Sequence, residues 1–293
     1  GGPFMAPPGS FCIPPLVELP RLLAAAERVA NEDENEDDLR LLLAPGSSLG
    51  GARPKASVRD KDGSLAIAKF PQREDDWIIV RWEAVALSLA ARAGIAVPPC
   101  RIEAINGKPV LLIRRFDRLA DERTPFLSAM SMLGAADNEA HSYLEIADAL
   151  RQHGSSSKED LVQLWRRIVF GVLISNTDDH LRNHGFLYAN NTGWRLSPAY
   201  DLNPVPADVR PRVLATAIGL DDPSASIEIA FEHAASFGLS ASDAHRIAGE
   251  IAAVVIDWRN EAARQGIAPR EIDRMASAFE HADLNRARGH RHS

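Results

Sequence analysis

The sequence predicts an α+β protein with two lobes, a small lobe rich in β-strands followed by a larger helical lobe. Up to about residue 118, short apolar segments alternate with turn residues and surround one helical stretch. From about residue 119, apolar residues recur at helical spacing, and a cluster of polar residues directly follows a long apolar run. We therefore expect one domain over residues 1–118 and a second over 119–293.

The composition is that of an ordinary globular protein. Of 293 residues, 45% are hydrophobic and 25% are charged, and this length suffices for a sizeable core. The net charge of −7 excludes an overall basic field, so we expect no direct nucleic-acid partner. The two cysteines, Cys12 and Cys100, are far apart in sequence, which argues against a disulfide framework and indicates a reducing, cytoplasmic environment.

Targeting and membrane segments are not expected either. No apolar run reaches the ~18 residues of a membrane-spanning helix. The first residues lack the charged and apolar regions of a signal peptide. We therefore expect no membrane partner.

The elements of the first lobe follow from periodicity and turn residues. They are a helix over 16–30, strands over 56–58 and 65–70, a helix over 75–95 and a hairpin over 100–118. The acidic run 31–38 is expected to be a solvated loop or a helix start. Gly63 supplies the positive φ of the first turn, and the second hairpin turns at Asn106 and Gly107.

The second lobe is predicted to be mainly helical. Its expected elements are helices over 142–152, 157–173, 241–265 and 269–282 and a short hairpin over 184–204. The segment from Ser157 to Asp160 predicts a capping box, and the apolar residues after it predict a core helix. Ser240 is expected to open the helix over 241–265. A small β-rich lobe before a larger helical lobe is the outline of a kinase-like fold.

The polar cluster after the core helix has the spacing of a kinase catalytic loop. Asp178 and Asn183 are five residues apart, the separation of a catalytic base from a metal-binding Asn, and Asp201 follows after the short hairpin. Phosphoryl transfer needs hard oxygen ligands that hold Mg²⁺ against the negative phosphoryl oxygens, and a separate carboxylate that accepts the proton of the attacking hydroxyl. Two alternatives stay open: these residues are ordinary loop and cap residues, or His180 and His184 bind a metal.

The first lobe carries candidate phosphate-binding residues. Lys69 lies on a strand, and Glu83 on the next helix is able to pair with it. The alternative is that Lys69 is an edge charge and Glu83 a solvated helix charge. The preceding loop "GSSLGGARPK" offers the backbone amides of small residues, Gly50 and Gly51 among them, as a cradle for phosphates. It is not a Walker A loop, because "AR" follows where Lys-Ser/Thr is required.

Five motifs together resemble the HipA family of serine/threonine kinases, toxins of bacterial toxin–antitoxin modules. They are "SSLGGARPKASV", "AIAKFP", "IRRFDR", "SNTDDHLRNHGFLY" and "PAYDLNP", and the resemblance covers residues from about 40 to about 285. It implies dependence on ATP and Mg²⁺, with Asp178 as the catalytic base, Asn183 and Asp201 as Mg²⁺ ligands and Lys69 at the nucleotide phosphates.

The resemblance also implies roles for other residues. Arg115 and Phe116 belong to the hinge beside the adenine, and Lys55 matches a lysine that follows the Gly-rich loop. His180 is counted with the nucleotide-binding residues. Ser48, or failing that Ser47, is the expected site of autophosphorylation that switches the kinase off.

The expected partners follow from the same resemblance. They are a protein substrate, an aminoacyl-tRNA synthetase in the family, and an antitoxin. Family members carry an additional N-terminal subdomain where this sequence has a short helical lead-in. We therefore expect a short form, in which a separate small protein replaces the missing piece.

The alternatives to this function are a small-molecule kinase and a non-catalytic kinase-like corepressor bound to a DNA-binding antitoxin. The paired loop serines disfavour the small-molecule kinase, and the intact set of candidate catalytic residues disfavours the corepressor.

Overall fold

The computed structural model describes residues 13–31, 33–42, 53, 55–72, 75–119, 122–137, 139–189 and 192–289. The chain divides into two units that are not contiguous in sequence. The first contains the residues up to Ala84 together with Pro98–Thr124, and the second contains Val85–Val97 together with the residues from Pro125.

An antiparallel sheet and two helices form most of the first unit. Its elements are α1 (Leu19–Ala30), α2 (Glu36–Leu42), β1 (Lys55–Arg59), β2 (Leu65–Lys69), the start of α3 (Ile79–Arg92), β3 (Cys100–Ile105), β4 (Lys108–Arg114), β5 (Arg118–Leu119) and β6 (Glu122–Arg123). The four longer strands pair in the order β1-β2-β4-β3, and β5 pairs with β6. All of these pairings are antiparallel, as the hairpins β1–β2, β3–β4 and β5–β6 require; β2 and β4, which α3 and β3 separate in sequence, also pair antiparallel.

Both predicted hairpin turns are confirmed. Gly63 has a φ of 84° in the turn between β1 and β2. Asn106 and Gly107, which alone separate β3 from β4, have φ values of 50° and 77°. A two-residue turn with positive φ at both positions matches the twist of the flanking strands, which is why Asn-Gly is favoured there.

Helix α1 packs its apolar face on the sheet of this unit. The core consists of Leu19, Leu22, Leu23, Ala25, Ala26, Leu42, Ala56, Val58, Ala66, Ala68, Phe70, Val110 and Leu112. The expected helix over 16–30 begins with a 3-10 turn (Leu16–Glu18) before α1. Residues 33–37 of the acidic run are exposed as expected, but Asp38 is buried, because its carboxylate accepts a hydrogen bond from Arg28 Nε at 2.7 Å.

Helices dominate the second unit. After the end of α3, its elements are β7 (Phe126–Ser128), α4 (Ala129–Leu133), β8 (His141–Ser142), α5 (Tyr143–His153), α6 (Ser157–Leu173), β9 (Gly185–Ala189), β10 (Gly193–Leu196), β11 (Thr216–Ala217), α7 (Ile227–Glu232), α8 (Ala241–Val255), α9 (Trp258–Arg264), α10 (Pro269–Arg274), α11 (Ala276–Phe279) and α12 (Ala282–Ala287). Strands β10, β9 and β7 form one antiparallel sheet in that order, and β11 pairs with β8 in parallel.

Helix α6 is the predicted core helix, and its apolar face is buried as expected. Trp165 and Phe170 have no exposed surface. The capping box predicted from Ser157 to Asp160 is wrong. The N-cap residue is Ser156, and the Ser157 hydroxyl instead donates to the Leu150 carbonyl at 2.6 Å. A capping interaction occurs at α5, where the Ser142 amide donates to Glu145 at 2.7 Å.

The two long helices predicted over 241–265 and 269–282 are each divided. Helix α8 ends at Val255, and a turn precedes α9. That turn directs Trp258 into the core, where its ring stacks on Phe279 with 4.5 Å between centroids. Packing of this ring therefore outweighs continuation of the helix. Ser240 caps α8 as predicted, with its hydroxyl accepting from the Asp243 amide. In the part of the chain that the structure describes, no helix is long and apolar enough to cross a membrane.

Candidate functional site

The structure brings Lys69 and Glu83 together within the first unit. Lys69 ends β2, and its Nζ lies 2.6 and 2.8 Å from the two carboxylate oxygens of Glu83 on α3. The side chains are 13% and 2% exposed, so neither is the solvated charge of the alternative interpretation. A buried carboxylate that holds a lysine in this way fixes the direction of the ammonium group.

Lys55 is the cross-strand partner of Lys69. The two residues lie directly opposite each other in the antiparallel register of β1 and β2. Directly opposed residues point to the same face of a sheet, and like charges there are unfavourable on their own. This face therefore concentrates positive charge beside Glu83, which suits a polyanionic ligand.

The expected hinge residues, Arg115 and Phe116, follow β4. The Arg115 amide donates to the Leu65 carbonyl at 2.8 Å, and its guanidinium grips Asp117 at 2.9 and 2.7 Å. Burial opposes ionisation of Asp117, but the hydrogen bond from Arg115 and the charges of Arg115 and Arg118 outweigh it, so its pKa lies below the usual value. The guanidinium of Arg115 thus stabilises the local conformation of the segment 115–117.

The Gly-rich loop is not part of the site that the structure describes. Ser47, Ser48, Gly50 and Gly51 lie outside the described residues. Their expected roles in phosphate binding and autophosphorylation stay predictions.

The catalytic-loop candidates lie in the second unit, directly after α6. Ser175 has a φ of 53°, an unfavourable value for a non-glycine residue, and its hydroxyl donates to the Ala278 carbonyl at 2.8 Å. Arg212 Nε donates to the same hydroxyl oxygen at 3.1 Å. These contacts hold the sharp turn through which the chain leaves the core helix and enters the loop.

A hydrogen bond within the loop links Asn183 to the backbone of Asp178. The Asp178 carbonyl accepts hydrogen bonds from the His180 amide at 3.0 Å and from Asn183 Nδ2 at 3.2 Å. Its carboxylate lies outside the core, 59% exposed, and pairs with Arg210 at 3.0 Å. The Oδ1 of Asn183 accepts no hydrogen bond from any described residue, so this oxygen is available to a cation.

Asp201 lies on a segment that is hydrogen-bonded to the start of the same loop. Asp201 itself has a φ of 59°, and its Oδ1 accepts from Asn203 Nδ2 at 3.2 Å. The Asn203 amide donates to Asn176 Oδ1 at 3.0 Å, and the Val205 amide donates to the Ser175 carbonyl at 3.2 Å. The unfavourable backbone conformation of Asp201 is therefore followed by two hydrogen bonds that hold its segment to the start of the loop.

The donor atoms present are suitable for Mg²⁺. Asn183 Oδ1 and the Asp201 carboxylate are hard oxygen ligands, and Mg²⁺ usually takes one or two protein ligands with water and substrate phosphates completing its octahedron. Within the described ranges, no group of three or more His, Cys, Asp or Glu residues is arranged to hold a metal. A dedicated protein cage is thus not what this site offers.

A buried network beside the base was missed from the sequence. Asp179 Oδ2 accepts a hydrogen bond from the Tyr143 hydroxyl at 2.5 Å, and Asp179 Oδ1 lies 3.1 Å from His184 Nε2. The Tyr143 and His184 rings meet edge to face, with 5.4 Å between centroids. His184 therefore contacts the Asp179 carboxylate, and this contact disfavours the interpretation in which His180 and His184 together bind a metal. The neighbouring His180 has a buried Nδ1 without a hydrogen-bond partner among the described residues.

The charge state of this network follows from its contacts. Burial opposes ionisation of Asp179, but the charge of the nearby His184 and the hydrogen bond from Tyr143 outweigh it, and the pKa of Asp179 lies below its usual value. Burial, together with the neighbouring Asp179 charge, raises the pKa of Tyr143 well above its usual value. The pair is therefore an ionised carboxylate held by a neutral phenol. The only sequence signal was the Asp178–Asp179 doublet, because Tyr143 is distant in sequence.

A family model matches most of the chain. It is the HipA-like C-terminal domain, and it covers residues 47–258, which include every candidate site residue named above.

Similar proteins carry kinase names. "Putative kinase Y4mE" of Sinorhizobium fredii is 27% identical over 181 residues, which are 53% of this chain and 41% of that protein. "Putative kinase" of Haemophilus influenzae is 28% identical over 182 residues, which are 53% of this chain and 52% of that protein. The matched region thus spans about half of these relatives or less.

Solved structures with the same fold are more distant in sequence. HipA of Shewanella oneidensis, solved with HipB and operator DNA, has a TM-score of 0.61 and 16% identity, covering 83% of this chain and 67% of that one. The proinflammatory kinase CtkA of Helicobacter pylori has a TM-score of 0.53 and 15% identity, covering 80% of this chain and 93% of that one. These similarities confirm the predicted α+β, kinase-like fold class.

Proposed function

Because the chain belongs to the HipA-like C-terminal domain family, we propose that it is an ATP- and Mg²⁺-dependent protein serine/threonine kinase. One observation carries the proposal. The exposed carboxylate of Asp178 lies on a loop closed by Asn183, and the segment with Asp201 is hydrogen-bonded to the start of that loop. A base and two oxygen ligands at this spacing are what phosphoryl transfer requires.

Each of the candidate residues has a separate role in the proposed reaction. Asp178 orients the hydroxyl of the substrate and accepts its proton. Asn183 and Asp201 hold Mg²⁺, which when bound neutralises negative charge on the phosphates. Lys69, held by Glu83, contacts the phosphates, with Lys55 adding positive charge on the same face of the sheet. The backbone at Arg115 and Phe116 lies beside the adenine, and His180 contributes from the catalytic loop.

The biological setting belongs to the same proposal. We expect a cytoplasmic toxin whose substrate is an aminoacyl-tRNA synthetase and whose partner is an antitoxin. The solved HipA with similar fold is bound to HipB and operator DNA, which supports an antitoxin partner. Autophosphorylation at Ser48, or at Ser47, would add about −1.5 to −2 charges close to the ATP phosphates and oppose nucleotide binding.

The test is phosphoryl transfer from labelled ATP in the presence of Mg²⁺, alone and with a panel of aminoacyl-tRNA synthetases. Intact mass is the second readout. Asp178→Ala should lower the rate by about 10²–10⁴-fold, since a general base is lost. Asp148→Ala is the matched control, because Asp148 is an exposed aspartate of the same unit that pairs with Arg151. Near-full transfer by Asp178→Ala would refute this assignment of the loop.

A further inference from the structure

A cavity of about 340 Å³ lies next to Asp178 in the second unit. Its walls are Thr177, Arg210, Pro211, Val213, Leu214 and Ala215. Thr177 directly precedes Asp178, and Arg210 pairs with the Asp178 carboxylate at 3.0 Å. The cavity therefore lies beside Asp178, where the proposed function puts the phosphoacceptor hydroxyl.

The same segment exposes unusual apolar surface. Among the described residues, only five large hydrophobic side chains are strongly exposed, and Val209 and Val213 on either side of Arg210 are two of them. Their exposed fractions are 44% and 49%. Apolar side chains exposed around a charged group are typical of a surface that binds a protein.

The segment is rigidly placed relative to Asp178. The Ala215 amide donates to the Thr177 carbonyl at 3.0 Å, and the Leu214 amide donates to the Pro223 carbonyl at 2.7 Å. Arg212 points to the interior, where it donates to the Val172 carbonyl at 2.8 Å and to Asp283 at 2.5 Å. Because these bonds fix the backbone on both sides, the cavity is preformed and does not need to be induced by a ligand.

Arg210 has the opposite orientation from Arg212. Its guanidinium is 53% exposed, and within the described part of the chain its ion-pair partner is Asp178. An ion pair with both members this exposed is weak. A substrate that engages Asp178 is thus able to displace Arg210, and the released guanidinium is then available to pair with an acidic side chain of that substrate.

We propose that Thr177 and the segment from Arg210 to Ala215 form a docking site for the polypeptide chain beside the phosphoacceptor. The cavity takes an apolar side chain of the substrate, and Arg210 takes a neighbouring acidic residue. A small-molecule substrate is disfavoured, because such ligands are mostly enclosed by their sites, whereas Arg210, Pro211, Val213 and Ala215 are all exposed. This inference rests on the proposed kinase function and adds the substrate preference.

The experiment uses four short serine peptides on one alanine-rich background. They carry Leu with Glu, Leu with Lys, Ala with Glu, or Ala with Lys beside the serine. Binding is measured by fluorescence anisotropy without ATP, and kcat/KM is measured with labelled ATP. Wild type should favour the Leu–Glu peptide over the Leu–Lys peptide by roughly fivefold, the scale of one exposed charge pair. Leu should also be favoured over Ala.

Two variants test the two parts of the site. Arg210→Glu should reverse the preference from Glu to Lys. Val213→Ser, which adds no charge beside Arg210, should abolish the preference for Leu while the preference for Glu remains. Arg246→Glu is the matched control, because Arg246 is an exposed arginine on α8 that pairs with Asp243 and Glu250, and it should keep the wild-type preferences. Thermal melting establishes that each variant is folded.

The outcomes separate this inference from the proposed function. Transfer to all four peptides with equal kcat/KM and equal affinity would leave the kinase function standing and overturn the docking site. An unchanged preference for Glu in folded Arg210→Glu would also overturn it. If the peptides bind with the expected preference for Glu over Lys and for Leu over Ala but no phosphoryl transfer occurs, the docking site is supported and the kinase function is contradicted.

Discussion

Removal of the Tyr143 hydroxyl should destabilise the second unit, because this group holds the buried carboxylate of Asp179, next to the proposed base Asp178. Tyr143→Phe leaves the ring in place and removes one donor to Asp179, whose side chain is 6% exposed. A hydrogen bond to a charged group contributes about 1.5–3 kcal/mol. We expect the free energy of unfolding at pH 7 to fall by that amount, and the melting temperature to fall by about 3–12 °C for a unit of this size.

The loss of unfolding free energy caused by Tyr143→Phe should depend on pH. The pKa of Asp179 is depressed in the fold because the charge of the nearby His184 and the hydrogen bond from Tyr143 outweigh its burial. A depressed pKa means that the ionised carboxylate stabilises the fold above the unfolded pKa of about 3.9, and that this contribution is lost as the pH falls through the folded pKa. The difference between wild type and Tyr143→Phe should therefore be full at pH 7 and shrink as the pH falls towards and below about 4.

The assay is urea unfolding at several pH values, with Tyr143→Phe made both in wild type and in the Asp179→Asn variant. In that background the loss of the hydroxyl should cost much less, because its charged acceptor is gone. Tyr188→Phe is the matched control. No described residue accepts a hydrogen bond from the Tyr188 hydroxyl, so this change should stay within about 0.5 kcal/mol of wild type. The reasoning would be refuted if Tyr143→Phe lowered the free energy of unfolding equally in wild type and in the Asp179→Asn variant.

Three further predictions concern the nucleotide site. Glu83→Gln should lower the free energy of unfolding by about 3 kcal/mol, because it leaves the Lys69 charge largely buried without its anion, and urea unfolding checks this. Lys69→Ala should weaken ATP binding in calorimetry, and unchanged affinity would make Lys69 an ordinary strand charge. Mass spectrometry of protein made with an intact active site should find phosphate on Ser48, or failing that Ser47. The same phosphate in Asp178→Ala protein would rule out autophosphorylation.

Local sequence signals predicted the parts of the fold that local interactions determine. The Asn106–Gly107 turn was predictable because few residues tolerate positive φ, and the core helix because its apolar residues recur on one face. The pairing of Lys69 with Glu83 was also foreseen, since strand and helix follow one another closely. Their roles in catalysis stay predictions.

The remaining features depend on contacts between distant parts of the chain. The division of the helix predicted over 241–265 depends on Trp258 stacking on Phe279, which periodicity does not reveal. The Tyr143–Asp179 contact joins residues 36 positions apart, and Arg210 lies 32 positions after Asp178. A single sequence contains no local signal for such pairs, so it indicated the candidate residues of the loop but not the contacts that support them.

The anchors of the catalytic loop have a consequence for the order of synthesis. Ser175 is held by the Ala278 carbonyl, 103 positions later, and Arg212 by Asp283. A nascent chain that carries Asp178 therefore emerges from the ribosome long before the residues that hold its loop in place. The loop that carries Asp178 acquires its final geometry only when the helical segments around 276–287 have been translated and docked. A ribosome-bound chain that stops short of them should consequently be an inactive form of the protein.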